Sequence, residues 1–327
     1  MAMLGRGRRR AAAAARRLAR DAAAASPAAA AAADLALDRL SDRQLELLAA
    51  AVAAGGGGGA GAGGGCVLVE AADLAALCCR AWRWDDLEPD QLRPAPHCAA
   101  VRDPVYHCAN PYHWSRLCPL ESPPPPYCRF PKEKLRPEDR APSEKKMFPG
   151  SLTTNGEGDG FGGGRVWCKL AYWELATRVG RLFPVEAATV SVFSAPHAGD
   201  GLCIEALAPS AAHDAVRRTR PKIGLGVTLS LEGDTVWAHN RSKAPIFVNS
   251  PTLDDPDSRA PLVYRVPPGY CLDIFDRSRA VPDRCAEGPV DPNSVRISFA
   301  KGWGPKYSRQ EVTACPCWLE VLLAPCR

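Results

Sequence analysis

The chain has 327 residues, 46% of them hydrophobic, with 41 lysines and arginines against 36 acids, a formal net charge of +5 and 14 cysteines. That length suggests about two domains of roughly 150 residues each, and the apolar fraction excludes a wholly disordered protein. Seven arginines (Arg6, Arg8, Arg9, Arg10, Arg16, Arg17, Arg20) and no acid fall in residues 1–20, leaving −2 on the rest, so no global basic field points to nucleic acid.

The arginine and alanine start is compatible with a transit peptide or a nuclear-import patch. Its low complexity, with Ser26 the first serine, favours a disordered basic arm over residues 1–33. Ala11 to Ala33 shows no apolar face to bury. Leucines then arrive at Leu35, Leu40, Leu47 and Leu48, and Ser41 followed by Gln44 is a capping box opening a helix that stops at Gly55. Leu47 to Val69 is the longest charge-free stretch, but nine glycines make it a helix end running into a flexible loop at 55–65, not a membrane span. With no secretory leader in view, the cysteines read as reduced thiols or metal ligands. From Cys66 to Cys118 the composition turns to Cys, His, Trp and Pro, as in a small α+β domain (34–118) that a metal would have to stabilise.

Residues 119–164 read as a linker, with four consecutive prolines, mixed charge from Lys132 to Lys146, and six glycines between Asn155 and Gly164. Beyond it, alternation predicts short strands at Val190–Phe193, Leu225–Leu231, Ile246–Val248, Leu262–Val266, Cys271–Phe275, Ser294–Phe299 and Trp318–Leu323, with a helix at Ala211–Arg218. Such a run of strands over 165–327 indicates a β-sandwich with loop and helix elements.

Three constellations could carry function. Cys66, Cys98, Cys108 and His113 offer the three thiolates and one imidazole of a closed, structural zinc site, with Cys78, Cys79, Cys118, His97 and His107 as competing choices and buried unliganded thiols as the plain alternative. Glu121-Ser-Pro-Pro-Pro-Pro-Tyr127 contains a PPxY motif (Pro124, Pro125, Tyr127) on a polyproline helix suited to a WW-domain groove, unless it is only a stiff spacer. Arg217, Arg218, Arg220 and Lys222, with Lys301, Lys306 and Arg309, could meet as an anion-binding face or remain a solvated surface. Gly302-Trp-Gly304 is no nucleotide loop, Cys315-Pro-Cys317 lacks the spacing of a redox pair, and no nucleophile motif is present, so an enzyme is not expected.

Longer phrases resemble the Smad family. Cys108-Ala-Asn-Pro-Tyr-His113 and Trp82-Arg-Trp84 followed by Asp86-Leu87 resemble its zinc-binding MH1 domain; AYWE (171–174), TRVGRL (177–182), PIFVNSPTLD (245–254), DPNSVRISFAKGWGP (291–305) and CPCWLEVLL (315–323) resemble its MH2 domain. The resemblance implies zinc on Cys66, Cys98, Cys108 and His113, and receptor-binding positions at Arg218, Lys222, Lys301 and Arg309. It also implies docking of Smurf-type WW-domain ubiquitin ligases at Pro124, Pro125 and Tyr127, with Cys128 where relatives often carry serine. The chain stops at Leu323-Ala-Pro-Cys-Arg327 without the Ser-Ser-x-Ser tail of receptor-activated members. Cys66 to Cys79, where the family's DNA-reading hairpin should lie, holds Glu70 and Asp73 and no basic residue, so it cannot neutralise phosphate. Both departures, with the Glu121–Tyr127 segment, resemble the inhibitory Smads, and the phrases VNSPTLD (248–254) and DPNSVRISFAKGWGP (291–305) are nearer in wording to the Smad-six branch than to the Smad-seven branch. The expected role is antagonism of TGF-β and BMP signalling in nucleus and cytoplasm, through type I receptors, other Smads and nuclear corepressors, with no membrane insertion. A DNA-binding regulator is the alternative.

Overall fold

The computed structural model describes residues 2–55, 65–119, 166–194, 201–210, 213–253, 262–279 and 293–324. The N-terminal unit contains helices α1 (Ala2–Ala25), α2 (Pro27–Leu37), α3 (Asp42–Ala54) and α4 (Asp73–Trp82), with short strands β1 (Leu68–Val69), β2 (Leu92–Pro94), β3 (His107–Cys108) and β4 (Trp114–Leu117). The expected disordered arm is therefore two helices. Alanine is the best helix former, and its small side chain lets helices approach closely. Ser26 caps α2 by accepting from the Ala29 amide at 3.0 Å, with Pro27 in the first turn, where its missing N–H costs nothing.

The apolar face that alanine counting failed to show is formed by Ala11, Leu18 and Ala22 on α1 and by Ala29, Ala32, Ala33 and Ala36 on α2, all buried. α1 lies against α3, and α2 against α4. The N-terminal unit thus has more core than its cysteine-rich half alone suggested. Helix α3 starts and stops where its signals lie, with the Ser41 and Gln44 capping box formed and Gly55 left-handed at φ 57°.

The C-terminal unit consists of β5 (Cys168–Glu174), β6 (Thr177–Val185), β7 (Thr189–Phe193), β8 (Gly201–Cys203), α5 (Ile204–Leu207), α6 (Asp214–Ile223), β9 (Val227–Glu232), β10 (Thr235–Asn240), β11 (Ile246–Asn249), β12 (Tyr264–Val266), β13 (Tyr270–Asp276), β14 (Ser294–Phe299) and β15 (Trp318–Leu323). Two sheets pack face to face, one ordered β12-β11-β14-β15-β5-β6 and the other β2-β4-β13-β10-β9-β7-β8. Val295, Ile297 and Phe299 of β14 face the shared core with Leu170, Leu229, Ile274 and Val321. Ser294 and Ser298 on the other face are also buried and bond to Glu320 Oε1 at 3.0 Å and the Lys301 carbonyl at 2.7 Å. The helix expected from residue 211 begins at Asp214 and runs on to Ile223, because Val216, Thr219 and Ile223 share a buried face and His213 caps the start.

The second sheet is composite: β4 of the N-terminal unit runs parallel to β13, pairing Arg116 with Tyr270 and Leu117 with Cys271. Alternation in four residues, Trp114 to Leu117, is too short a signal to predict that. The seam is fastened by side chains. Arg93 lies 3.6 Å over the Trp237 ring and pairs with Glu232, and Trp84 meets Tyr270 edge-on at 5.9 Å. Gly269, at φ 81°, leaves room for the Arg83 guanidinium, which would stand 2.0 Å from a Cβ there. His239 is fully buried at the seam, its Nδ1 3.0 Å from Ser115 Oγ.

Burial, reinforced by the positive charges of Arg93 and Arg241, pushes the His239 imidazole down to about 3. Folding thus favours its neutral form, so this contribution is fully present above the unfolded value of about 6.5 and is lost as pH falls from there towards 3. We expect unfolding free energy to drop on going from neutral pH to pH 5, with about 2 kcal/mol of the drop absent from His239→Gln, measured by denaturant titration at both pH values.

Candidate functional site

Two places bring functional side chains together. In the N-terminal unit, Cys66 precedes β1, Cys98 opens a single helical turn (Ala99–Arg102), Cys108 ends β3, and His113 closes the turn Pro111–His113. Their donor atoms lie within 4.8 Å of one another, with Cys66 Sγ 3.7 Å from Cys98 Sγ and His113 Nδ1 3.5 and 3.4 Å from the sulfurs of Cys66 and Cys108. A tetrahedron built on bonds of about 2.3 Å to sulfur and 2.0–2.1 Å to nitrogen has edges of about 3.7 and 3.5 Å, so the donor set fits zinc in both size and chemistry.

The loop carrying two of these donors is held from behind. Arg83 donates to the carbonyls of Pro111 (2.9 Å) and Trp114 (2.5 Å), and Trp114 Nε1 donates to the Cys108 carbonyl at 2.7 Å. The central arginine of Trp82-Arg-Trp84 is a clamp that motif reading did not isolate. Hydrogen bonding from Cys108 and His113 pulls the Cys98 thiol below the usual cysteine range despite burial, while the Cys108 thiol is pushed up.

The competing choices lie elsewhere. Cys78 and Cys79 are buried on α4, and burial pushes Cys79 up to about 12. His97 packs edge-on against His113 at 5.1 Å outside the quartet, and His107 pairs through its backbone with Val69. Cys118 lies at the end of β4, its amide bonded to the Cys271 carbonyl at 2.8 Å. The eleven described cysteines are all unbridged. The segment after Cys66 forms β1 and then α4, not a hairpin, and Asp73 is paired with Arg39 at 2.6 Å.

The second place is at one end of the sandwich. Partial burial holds the Lys301 ammonium below the usual lysine range, and the positive charges of Lys222, Arg309 and Arg218, all within electrostatic reach, push the same way. Arg218 and Lys222 are exposed and lie four residues apart, on one face of α6. The other basic residues of that helix are engaged: Arg217 pairs with Asp214 at 2.5 Å, and Arg220 is half-buried on Glu174, also at 2.5 Å. Arg220 donates in addition to the Ala208 carbonyl, and Tyr172 donates to Glu174 at 3.0 Å, so Arg220 ties α6 to β5.

On the loop after β14, the Lys301 carbonyl accepts from Ser298, and the Gly304 amide donates to the Arg309 carbonyl at 2.7 Å. Gly302 lies under the Tyr307 ring, which a Cβ would strike at 2.5 Å, and Trp303 is buried with Phe247, Val263 and Trp318. Gly302-Trp-Gly304 is thus packing that fixes the loop on which Lys301 and Arg309 stand. Pro124, Pro125 and Tyr127 lie outside the described residues.

Residues 29–118 match the MH1 domain family and residues 165–324 the MH2 domain family. Mothers against decapentaplegic homolog 6 of Gallus gallus is 43% identical over 270 residues, 75% of this chain and 62% of that protein. Homolog 7 of Homo sapiens is 38% identical over 268 residues, 76% of this chain and 63% of that protein. Dwarfin sma-3 of Caenorhabditis elegans is 28% identical over 279 residues, 75% of this chain and 71% of that protein. The chain therefore spans less than two thirds of the length of the first two relatives. With an MH1 and an MH2 domain in that order, and homolog 6 nearer than homolog 7, the chain belongs to the inhibitory branch of the Smad family.

Proposed function

We propose that the chain is a non-enzymatic antagonist of TGF-β and BMP signalling, active in nucleus and cytoplasm, whose MH2 domain occupies phosphorylated type I receptors. The observation that carries this reading is that Lys301 lies within electrostatic reach of Arg309 on its own loop and of Arg218 and Lys222 on the exposed face of α6. A phosphorylated acidic loop supplies the counter-charge they lack, with charge-assisted hydrogen bonds and a salt-sensitive affinity. Occupying the receptor this way excludes other Smads from it. Among the described residues no helix is long and apolar enough to cross a membrane, so a receptor would be met from solution.

In the same reading the Cys66, Cys98, Cys108 and His113 quartet holds a structural zinc, and the PPxY residues Pro124, Pro125 and Tyr127 bring a Smurf-type, HECT-class ubiquitin ligase to the receptor. Zinc would neutralise the thiolates and lock the loops around them. Closed coordination leaves no position for a reacting water. Nuclear corepressors are further partners in this reading. The DNA-reading alternative lacks a basic hairpin after Cys66.

Replacing Lys222, Lys301 and Arg309 together by Glu should reduce capture of phosphorylated type I receptor at least about tenfold in a pull-down, since each lost charged hydrogen bond is worth about 1.5–3 kcal/mol; undiminished capture refutes the receptor reading. Metal analysis should find one zinc per chain, lost in Cys108→Ser with melting of N-terminal helicity, whereas Cys79→Ser keeps the metal; retention by Cys108→Ser refutes the quartet. Tyr127→Ala should abolish binding to an isolated WW domain in a fluorescence titration, and retained binding reduces the segment to a spacer.

A further inference from the structure

Helix α1 separates its residues by face. Ala11, Leu18 and Ala22 are buried, while Arg9, Arg10, Arg16, Arg17 and Arg20 are exposed. At 3.6 residues per turn Arg9, Arg16 and Arg20 fall within about 20° of one line on the side opposite the buried face, with Arg10 and Arg17 beside it. Arg17 donates to the Ala49 carbonyl at 2.5 Å and fastens the helix to α3, and Arg20 is braced along it by a bond from Nε to the Arg16 carbonyl at 3.3 Å. Arg9, Arg10, Arg16 and Arg20 have no ion-pair partner among the described residues. The stripe is cationic and without a carboxylate partner among the described residues.

The rest of the unit has the opposite sign. Residues 21–118 hold seven arginines, no lysine and twelve acids, a net −5. Any affinity of this unit for a polyanion therefore rests on α1. Between the arginines the exposed positions from Arg9 to Arg20 carry only alanine (Ala12, Ala13). A protein partner is normally gripped through aromatic or aliphatic anchors in a desolvated patch, and a membrane-surface helix needs a free apolar face to insert. Here no anchor exists, and the apolar face is already spent on α2, α3 and α4. What suits guanidinium groups on a surface of methyls is a regular array of phosphates.

We propose that α1 is a sequence-independent contact for the phosphate backbone of double-stranded nucleic acid. With a rise of 1.5 Å per residue, Arg9 to Arg20 span about 16 Å, close to five base-pair steps at roughly 3.4 Å each. Phosphate contacts position a protein on a duplex and carry no sequence information, so this contact is compatible with an MH1 domain that has no basic hairpin. It would hold the protein near chromatin while leaving partner choice to MH2.

The test is fluorescence anisotropy of the whole chain against two unrelated duplexes, at salt between about 50 and 200 mM. Affinity should be similar for both. The triple variant Arg9→Gln, Arg16→Gln and Arg20→Gln should flatten the slope of log affinity against log salt by about 2.7, at about 0.9 per lost phosphate contact. Glutamine keeps nearly the same helix propensity, and circular dichroism checks that α1 remains. A slope unchanged in the triple variant, no binding at the lowest salt, or a preference of more than about tenfold between duplexes would overturn the proposal. So would arginine-dependent binding to anionic vesicles or polyglutamate that matches binding to duplex at equal charge, which would assign the stripe to a membrane or an acidic protein instead.

Discussion

The basic face of the MH2 domain depends on keeping the partly buried Lys301 within electrostatic reach of Lys222, Arg309 and Arg218. Four cations from a helix and a distant loop would drift apart if their backbones were free to move. They are kept together by contacts that are not themselves part of the patch. The Arg220 and Glu174 pair, with 12% of either side chain exposed, fixes α6 on β5, and Tyr172 orients the carboxylate. Removing one partner of such a pair would strand the other's largely buried charge, a cost that the exposed pair of Arg217 with Asp214 does not carry. Opposite it, the Tyr307 ring over Gly302 and the buried Trp303 hold the loop.

The second dependence runs across the domain boundary. Because β4 continues the MH2 sheet at β13, the loop carrying Cys108 and His113, the carbonyls that Arg83 clamps and the strand that joins the sheet are consecutive parts of one chain segment, from Cys108 to Leu117. His113 and Ser115, two residues apart, meet the cysteines of the quartet and the buried His239 respectively. Whatever fixes the quartet therefore also fixes the strand that joins the domains.

Much of this was legible in sequence, for definite reasons. Strand β14 announced itself by Val295, Ile297 and Phe299, and α3 by a capping box and a left-handed glycine, because these are local signals. The metal quartet could only be narrowed by spacing, since His97, Cys78 and Cys79 are chemically equivalent candidates until three-dimensional placement separates them. Charge counting offered seven basic positions without distinguishing the anchor, Arg220, from free groups such as Lys222; a buried carboxylate partner is not a sequence signal. Alanine was the main failure. Its burial in α1 and α2 leaves no hydrophobic periodicity of the kind leucine gives, and low complexity there conceals a packed core.

The basic face of the MH2 domain, with Lys301 partly buried beside other cations, suits an external anion. The direct measurement is the titration of the Lys301 side chain, followed by NMR with selectively labelled lysine, in the free chain and bound to an acidic phosphorylated receptor peptide. Free Lys301 should titrate below the ordinary lysine value, move back up in Arg309→Gln, and rise further when the peptide binds. An ordinary value in the free chain, or one that the peptide leaves unchanged, would mean that these cations do not act together on an anion.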